Sequence, residues 1–198
     1  MNKTTCELDF YQRPTLQVAQ ELLGCVLVHE NETEYTAGII VETEAYLYND
    51  PACHAYRRKT ERNAPMFGKA GTIYVYQIYG MHYCFNVVTA AEGIGEAVLI
   101  RALAPTQGIE LMEQRRFPTK PLRTPTLRQL CNGPANLVKA MAITKNMNFW
   151  SLTDSNLSIL KAENPTFETV TTTRIGITQG VDLPYRFYLK NNAFVSRK

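Results

Sequence analysis

A chain of 198 residues, 45% hydrophobic and 20% charged, has the make-up of a soluble globular domain. It is long enough to bury about 70% of its unfolded surface without disulfide staples. No run approaches the ~20 apolar residues of a membrane span, MNKTTCELDF lacks the apolar stretch of a signal peptide, and a net charge of +3 selects no partner by itself. One domain over residues 1–198 is expected. The five cysteines, odd in number and without CxxC spacing, are expected to be reduced thiols of a cytoplasmic protein.

PTLQVAQELLG predicts a helix, with Thr15 as cap, Leu16, Ala19, Leu22 and Leu23 at helical period, and Gly24 as stop. CVLVHE and YTAGIIVETEAY predict strands. Residues 47 to 70 hold no sustained period and form a long connection, of the kind that often carries function. GTIYVYQIYGMHYCFNVVT predicts a β-hairpin, strands 72–78 and 82–88, turning near Tyr79-Gly80-Met81. AVLIRALAP is a further strand, and TQGIELMEQRRF a short helix capped by Thr106. TPTLRQLCNGPANLVKAMAI predicts two short helices broken at Asn132-Gly133, the second starting at Pro134. LSILKA, TTRIGIT and YRFYLK are predicted as late strands. Hairpins dominate over βαβ alternation, which predicts an α+β fold on a largely antiparallel sheet.

Two groups of cations stand out: Arg57, Arg58, Lys59 and Arg62, and then Arg115, Arg116, Lys120, Arg123 and Arg128. Clustered cations suit phosphates, although a solvated face looks the same in sequence. Glu42 and Glu44 point to one face of their strand, and a bare buried carboxylate is costly, so that face is no plain core. A carboxylate at a pocket mouth can act as a general base toward water. Glu42, Glu44 and His54 as metal ligands, or Cys53-His54 as a nucleophile pair, are competing readings of looser spacing. Tyr74, Tyr76 and Ile78 share one face of the hairpin, and Tyr79 at its tip has little core to pack on. Such an aromatic can wedge between bases, or simply lie on the protein surface. Aromatic faces, a water-activating carboxylate, a probing tyrosine and basic patches together suit chemistry on a base taken out of a duplex.

VETEAY followed by His54, then MFGKAGTIYVYQIYGMHYCFNVV and AVLIRALAP, closely resemble the 3-methyladenine (alkyladenine) DNA glycosylase family. LCNGPANL, TTRIGIT and YRFYL are similar to its later patterns, so the resemblance runs nearly the whole chain. It implies a curved antiparallel sheet with a protruding hairpin and flanking short helices, a shape shared with the C-terminal domain of methionyl-tRNA formyltransferase. It implies Glu44 as the base that deprotonates water, Glu42 in support, Arg101 orienting the glutamate and its water, and a backbone carbonyl near Ile175 completing the water site. Tyr46 and Tyr76 would stack on the flipped base, His54 would donate a hydrogen bond to it from its side chain or backbone, Asn86 would clash with the 2-amino group of normal guanine, and Tyr79 would fill the hole left in the duplex. The substrate implied is double-stranded DNA carrying 3-methyladenine, 7-methylguanine, hypoxanthine or 1,N6-ethenoadenine. A monomer without cofactor or metal is expected. No lysine falls among the matched pocket positions, so no Schiff-base chemistry is expected. Two departures are Asn136, where the family often has lysine, and KTERN, which lacks a proline common before the arginine. The competing readings are a non-catalytic damaged-base binding protein and a small-molecule nucleoside hydrolase.

Overall fold

A computed structural model describes residues 4–119, 125–162 and 166–197. Short helices α1 (Leu8–Tyr11) and α2 (Thr15–Glu21) lead into the strands β1 (Val26–Glu30) and β2 (Tyr35–Tyr46). After the long connection come the hairpin β3 (Ile73–Ile78) and β4 (His82–Thr89), then β5 (Glu96–Gln107). Helices α3 (Ile109–Arg116), α4 (Arg128–Cys131) and α5 (Pro134–Ala140) precede β6 (Leu157–Leu160), β7 (Thr169–Thr172) and β8 (Arg186–Leu189). The α+β prediction holds. The strands form one antiparallel sheet in the order β3-β4-β5-β2-β1-β6, with β8 on β2 and β7 on β8.

Strand β2 organises the sheet. It pairs with β5 along most of its length, while its other edge changes partner, from β1 over Tyr35–Ile39 to β8 over Glu42–Glu44. The register to β5 shifts at Ala37/Gly38 and again on both sides of Glu42. An extra residue bends and twists a strand, so the sheet curls at the point where the two glutamates sit. Helix α2 packs on β2, β5 and β8, and helix α5 on β4 and β5. The main core, including Leu22, Leu27, Ile40, Ile100, Leu103 and Phe187, is closed to solvent. A second, smaller apolar cluster of Cys53, Ala55, Met66, Tyr74, Val88 and Ala97 lies where the long connection folds over the hairpin.

Three local predictions change. Thr15 does not cap α2 from outside; it is the first helical residue, and its hydroxyl donates to the Glu96 carboxylate and bonds Thr89 at 2.8 Å. A buried carboxylate outcompeted the local cap. Thr106 lies inside β5 and donates to the Ala37 carbonyl at 3.1 Å. Helix α3 begins instead after Gly108, whose φ of +70° would strain any residue with a Cβ. TTRIGIT is not a strand: β7 ends at Thr172 and the chain leaves the sheet, because Arg174 is drawn into a buried ion pair with Asp50. The break at Asn132-Gly133, with Gly133 at φ +118°, and the start of α5 at Pro134 are as predicted.

Candidate active site

The bulge in β2 brings Glu42 and Glu44 to one buried spot, where both are 0% exposed. Charges taken out of water need partners. Arg101, from β5, supplies Nε to Glu42 Oε1 at 3.1 Å and sets Nη1 3.3 Å from Glu44 Oε1. Arg186, from β8, donates Nε to the same Glu42 oxygen at 2.8 Å, and the Ser196 amide donates to Glu42 Oε2 at 2.7 Å. Glu42 is therefore saturated by the scaffold. Glu44 is held differently, by groups that border a cavity. The Tyr46 hydroxyl donates to Oε2 at 2.8 Å and the Ile175 amide to Oε1 at 2.8 Å. Near Ile175 the group that reaches the carboxylate is this N–H, an inherently better partner for an anion than a carbonyl.

Above this floor lies a cavity of about 860 Å³, bordered among others by Tyr46, His54, Tyr74, Tyr76, Arg101 and Ile175. Alternation along β3 puts Tyr74 and Tyr76 side by side, with ring centroids 5.4 Å apart. His54 stands edge-on to Tyr76 at 4.5 Å, and its Nδ1 is 2.9 Å from the Tyr74 hydroxyl. Partial loss of water beside these rings, and then the positive Arg62, push the His54 pKa down to about 4 although the residue keeps solvent exposure, so the imidazole is neutral at pH 7. Asn63 fixes the loop beneath, with Nδ2 donating to the carbonyls of His54 at 2.8 Å and Arg58 at 3.0 Å. Burial, and then the Glu44 charge, hold the Tyr46 phenol well above its usual pKa, so it stays a donor.

Asn86 lies on β4 opposite Tyr74 and Leu99. It is buried and donates Nδ2 to the Tyr74 carbonyl at 3.1 Å; it sits beneath the cavity surface, between residues that do border it. Tyr79 is at the far end, 88% exposed. The turn from Ile78 to Met81 holds both central residues at positive φ, Tyr79 at +49° and Gly80 at +71°. Gln77 Nε2 braces it on the Gly80 carbonyl at 2.6 Å.

The two basic groups have different fates. Arg57, Arg58 and Arg62 border the cavity and are exposed, while Lys59 stands over the Phe67 ring. In the second group, Arg115 binds Glu34 and the Ala140 carbonyl, Arg116 the Leu130 carbonyl and Arg128 the Val195 carbonyl. These arginines tie the helices to one another, to the β1–β2 turn and to the C-terminal segment; Lys120 and Arg123 lie outside the described residues. Asn136 caps its own neighbourhood, donating to Asn132 within the helix pair. Cys53 donates to the Gly95 carbonyl, and burial pushes its thiol up to about 11; it is no thiolate partner for His54. Glu42, Glu44 and His54 do not converge, and among the described residues no group of three or more His, Cys, Asp or Glu side chains could hold a metal ion.

Sequence reasoning passed over Arg174, Asp50 and Arg186. Arg174 was hidden in a segment read as a strand, and Arg186 in one rightly read as a strand. A buried arginine's partner is set by topology, and no local spacing signals it.

The match to a family model for methylpurine-DNA glycosylase covers residues 9–193. A relative from Methanoculleus marisnigri is 52% identical, covering 98% of this chain and all of its own length. Relatives from Francisella tularensis and Carboxydothermus hydrogenoformans are each 52% identical, over 93% and 96% of this chain and 94% and 97% of their own. All three carry the provisional name 3-methyladenine DNA glycosylase. With that match over nearly its whole length, the chain belongs to the methylpurine-DNA glycosylase family, hydrolases that act on N-glycosyl bonds in DNA.

Proposed function

We propose that this protein works as a monofunctional glycosylase of the cell interior, acting as a monomer on duplex DNA that carries damaged purines. The observation that carries the reading is Glu44. It is a fully buried carboxylate held by Arg101, Tyr46 and the Ile175 amide, under a cavity walled by Tyr46, Tyr74 and Tyr76.

In this reading the damaged purine is flipped into the cavity, stacked between Tyr46 and Tyr76, and hydrogen-bonded by His54. A neutral imidazole has one donor and one acceptor nitrogen, so with Nδ1 on Tyr74, Nε2 faces the base. Electron-rich rings favour the positive charge of 3-methyladenine and 7-methylguanine by about 0.5–2 kcal/mol per contact. Hypoxanthine and ethenoadenine pair poorly and are cheaper to flip. As the C1′–N9 bond breaks, its electron pair leaves with the base and the sugar becomes cationic; a cationic alkylpurine departs neutral, and a neutral purine departs as an anion that takes up a proton from solvent. Water held between Glu44 and Arg101 adds to C1′, and Glu44 takes its proton. The product is an abasic site. Asn86 beneath the floor excludes the 2-amino group of guanine, and Tyr79 occupies the gap in the stack.

The test is single-turnover excision in EDTA on duplexes carrying hypoxanthine, ethenoadenine or 7-methylguanine, with wild type beside Glu44→Gln. Abasic product from wild type alone is expected, together with lesion binding by both proteins. Binding without product from either protein would turn the site into a damaged-base reader. Loss of wild-type activity in EDTA alone would revive a metal.

A further inference from the structure

Tyr46 borders the cavity. Arg174 is 6% exposed and does not border it. Its guanidinium carbon nevertheless lies 4.6 Å from the centroid of the Tyr46 ring and 5.3 Å from that of Tyr185. The cation thus packs on the Tyr46 ring from within the protein, away from the cavity lining and between two tyrosines. Asp50, 1% exposed, meets it along the guanidinium edge: Nη2 donates to Oδ1 at 2.9 Å, and Nη1 to Oδ2. The Ala45 carbonyl accepts a further bond from Nη1 at 2.9 Å. A bidentate carboxylate occupies the edge of the guanidinium and leaves its flat faces to aromatic rings.

A positively charged base on the front of Tyr46 and the guanidinium behind it would draw on the same ring quadrupole. A ring already polarised toward one cation is a poorer partner for a second, and the like charges repel across it. A neutral purine meets no such opposition. Building on the reading of this cavity as a base-stacking pocket, we propose that Arg174 is a specificity-determining residue. From behind Tyr46 it holds down the preference for cationic alkylpurines and so brings neutral damaged purines into the pocket's range. Asp50 sets how much of that charge the ring feels.

The readout is a ratio: single-turnover excision of 7-methylguanine, which is cationic, over that of hypoxanthine, which is neutral, with spontaneous loss of 7-methylguanine subtracted. The double variant Asp50→Asn/Arg174→Gln replaces the ion pair with neutral groups that still hydrogen-bond. Its ratio should rise about three- to tenfold, the scale of one cation–π contact. Asp50→Asn alone unmasks the arginine and should move the ratio the other way. Equal changes in both rates, leaving the ratio where it was, would mean that Arg174 only anchors its loop, and would overturn the proposal. Asp50→Asn keeps the arginine and a hydrogen-bonding partner, so it decides the matter if the double variant does not fold. A wild-type protein that excises neither lesion is a different failure: it removes the glycosylase mechanism proposed for the pocket, and this inference with it.

Discussion

Glu44 lies beneath the cavity and Tyr79 at its edge, and the two are built on opposite terms. Glu44 is 0% exposed and is gripped from three separate segments: Arg101 on β5, Tyr46 on its own strand, and Ile175 in the loop after β7. Tyr79 is 88% exposed, at positive φ, on a turn braced by Gln77. The catalytic role proposed for Glu44 would gain from a rigid, dry surround, where charge acts strongly and need not reorganise. A side chain that entered DNA, the role proposed for Tyr79, would have to stay free of its own protein. The hairpin therefore spends backbone strain to hold Tyr79 out, while the floor offsets buried charge with paired arginines.

Breaking the floor should have the largest effect. Glu44→Gln should lower excision by about 10²–10⁴-fold, the usual worth of a general base, in single-stranded and duplex substrates alike. Equal turnover by the variant would remove Glu44 from the chemistry. Breaking the tip should be selective. Tyr79→Ala should cut duplex excision by about tenfold or more, since a few kcal/mol of unstacking goes unassisted. Its melting temperature should stay close to wild type, because surface changes rarely exceed about 0.5 kcal/mol. A nucleoside hydrolase would ignore this substitution, so unaffected duplex activity would revive that reading.

Asn86→Ser sharpens the floor further. It gives up the bond to the Tyr74 carbonyl, costing about 1–3 kcal/mol of stability, and should admit unmodified guanine, seen as new abasic sites in undamaged duplex. Unchanged selectivity would discard the exclusion role. The smallest effect expected is a pH effect on stability. The His54 pKa is about 4 when folded, below the usual His value of 6.5. The unfolded chain therefore takes up the proton first, and stability is lost as pH falls from 6.5 through 4. In urea titrations His54→Gln should flatten that fall; an identical pH profile would show that His54 is not the group responsible.

The same contrast explains what could be read early. The hairpin, its turn, and the full span of β2 were legible because they rest on period-two patterning and turn chemistry, which are local. The exposed position of Tyr79 at the hairpin tip followed directly. Thr15 and Thr106 misled because both hydroxyls serve distant partners, the Glu96 carboxylate and the Ala37 carbonyl. The second basic group looked like the first in sequence, yet its described arginines bind Glu34 and backbone carbonyls while Arg57, Arg58 and Arg62 rim the cavity.

By itself, the sequence determined the fold class, most strand boundaries, the hairpin tip, and a set of motifs specific enough to indicate the family. It also raised the question of two glutamates in a strand that should be buried. Only the tertiary structure decided how those glutamates differ. The β2 bulge, the return of β8 with Arg186, and the loop carrying Arg174 and Ile175 come from segments far apart in the chain. They make Glu42 a saturated structural ion and leave Glu44 coordinated by groups that border the cavity. Buried charge is settled by whichever partners folding brings within about 3–4 Å, and no local pattern along a chain encodes that.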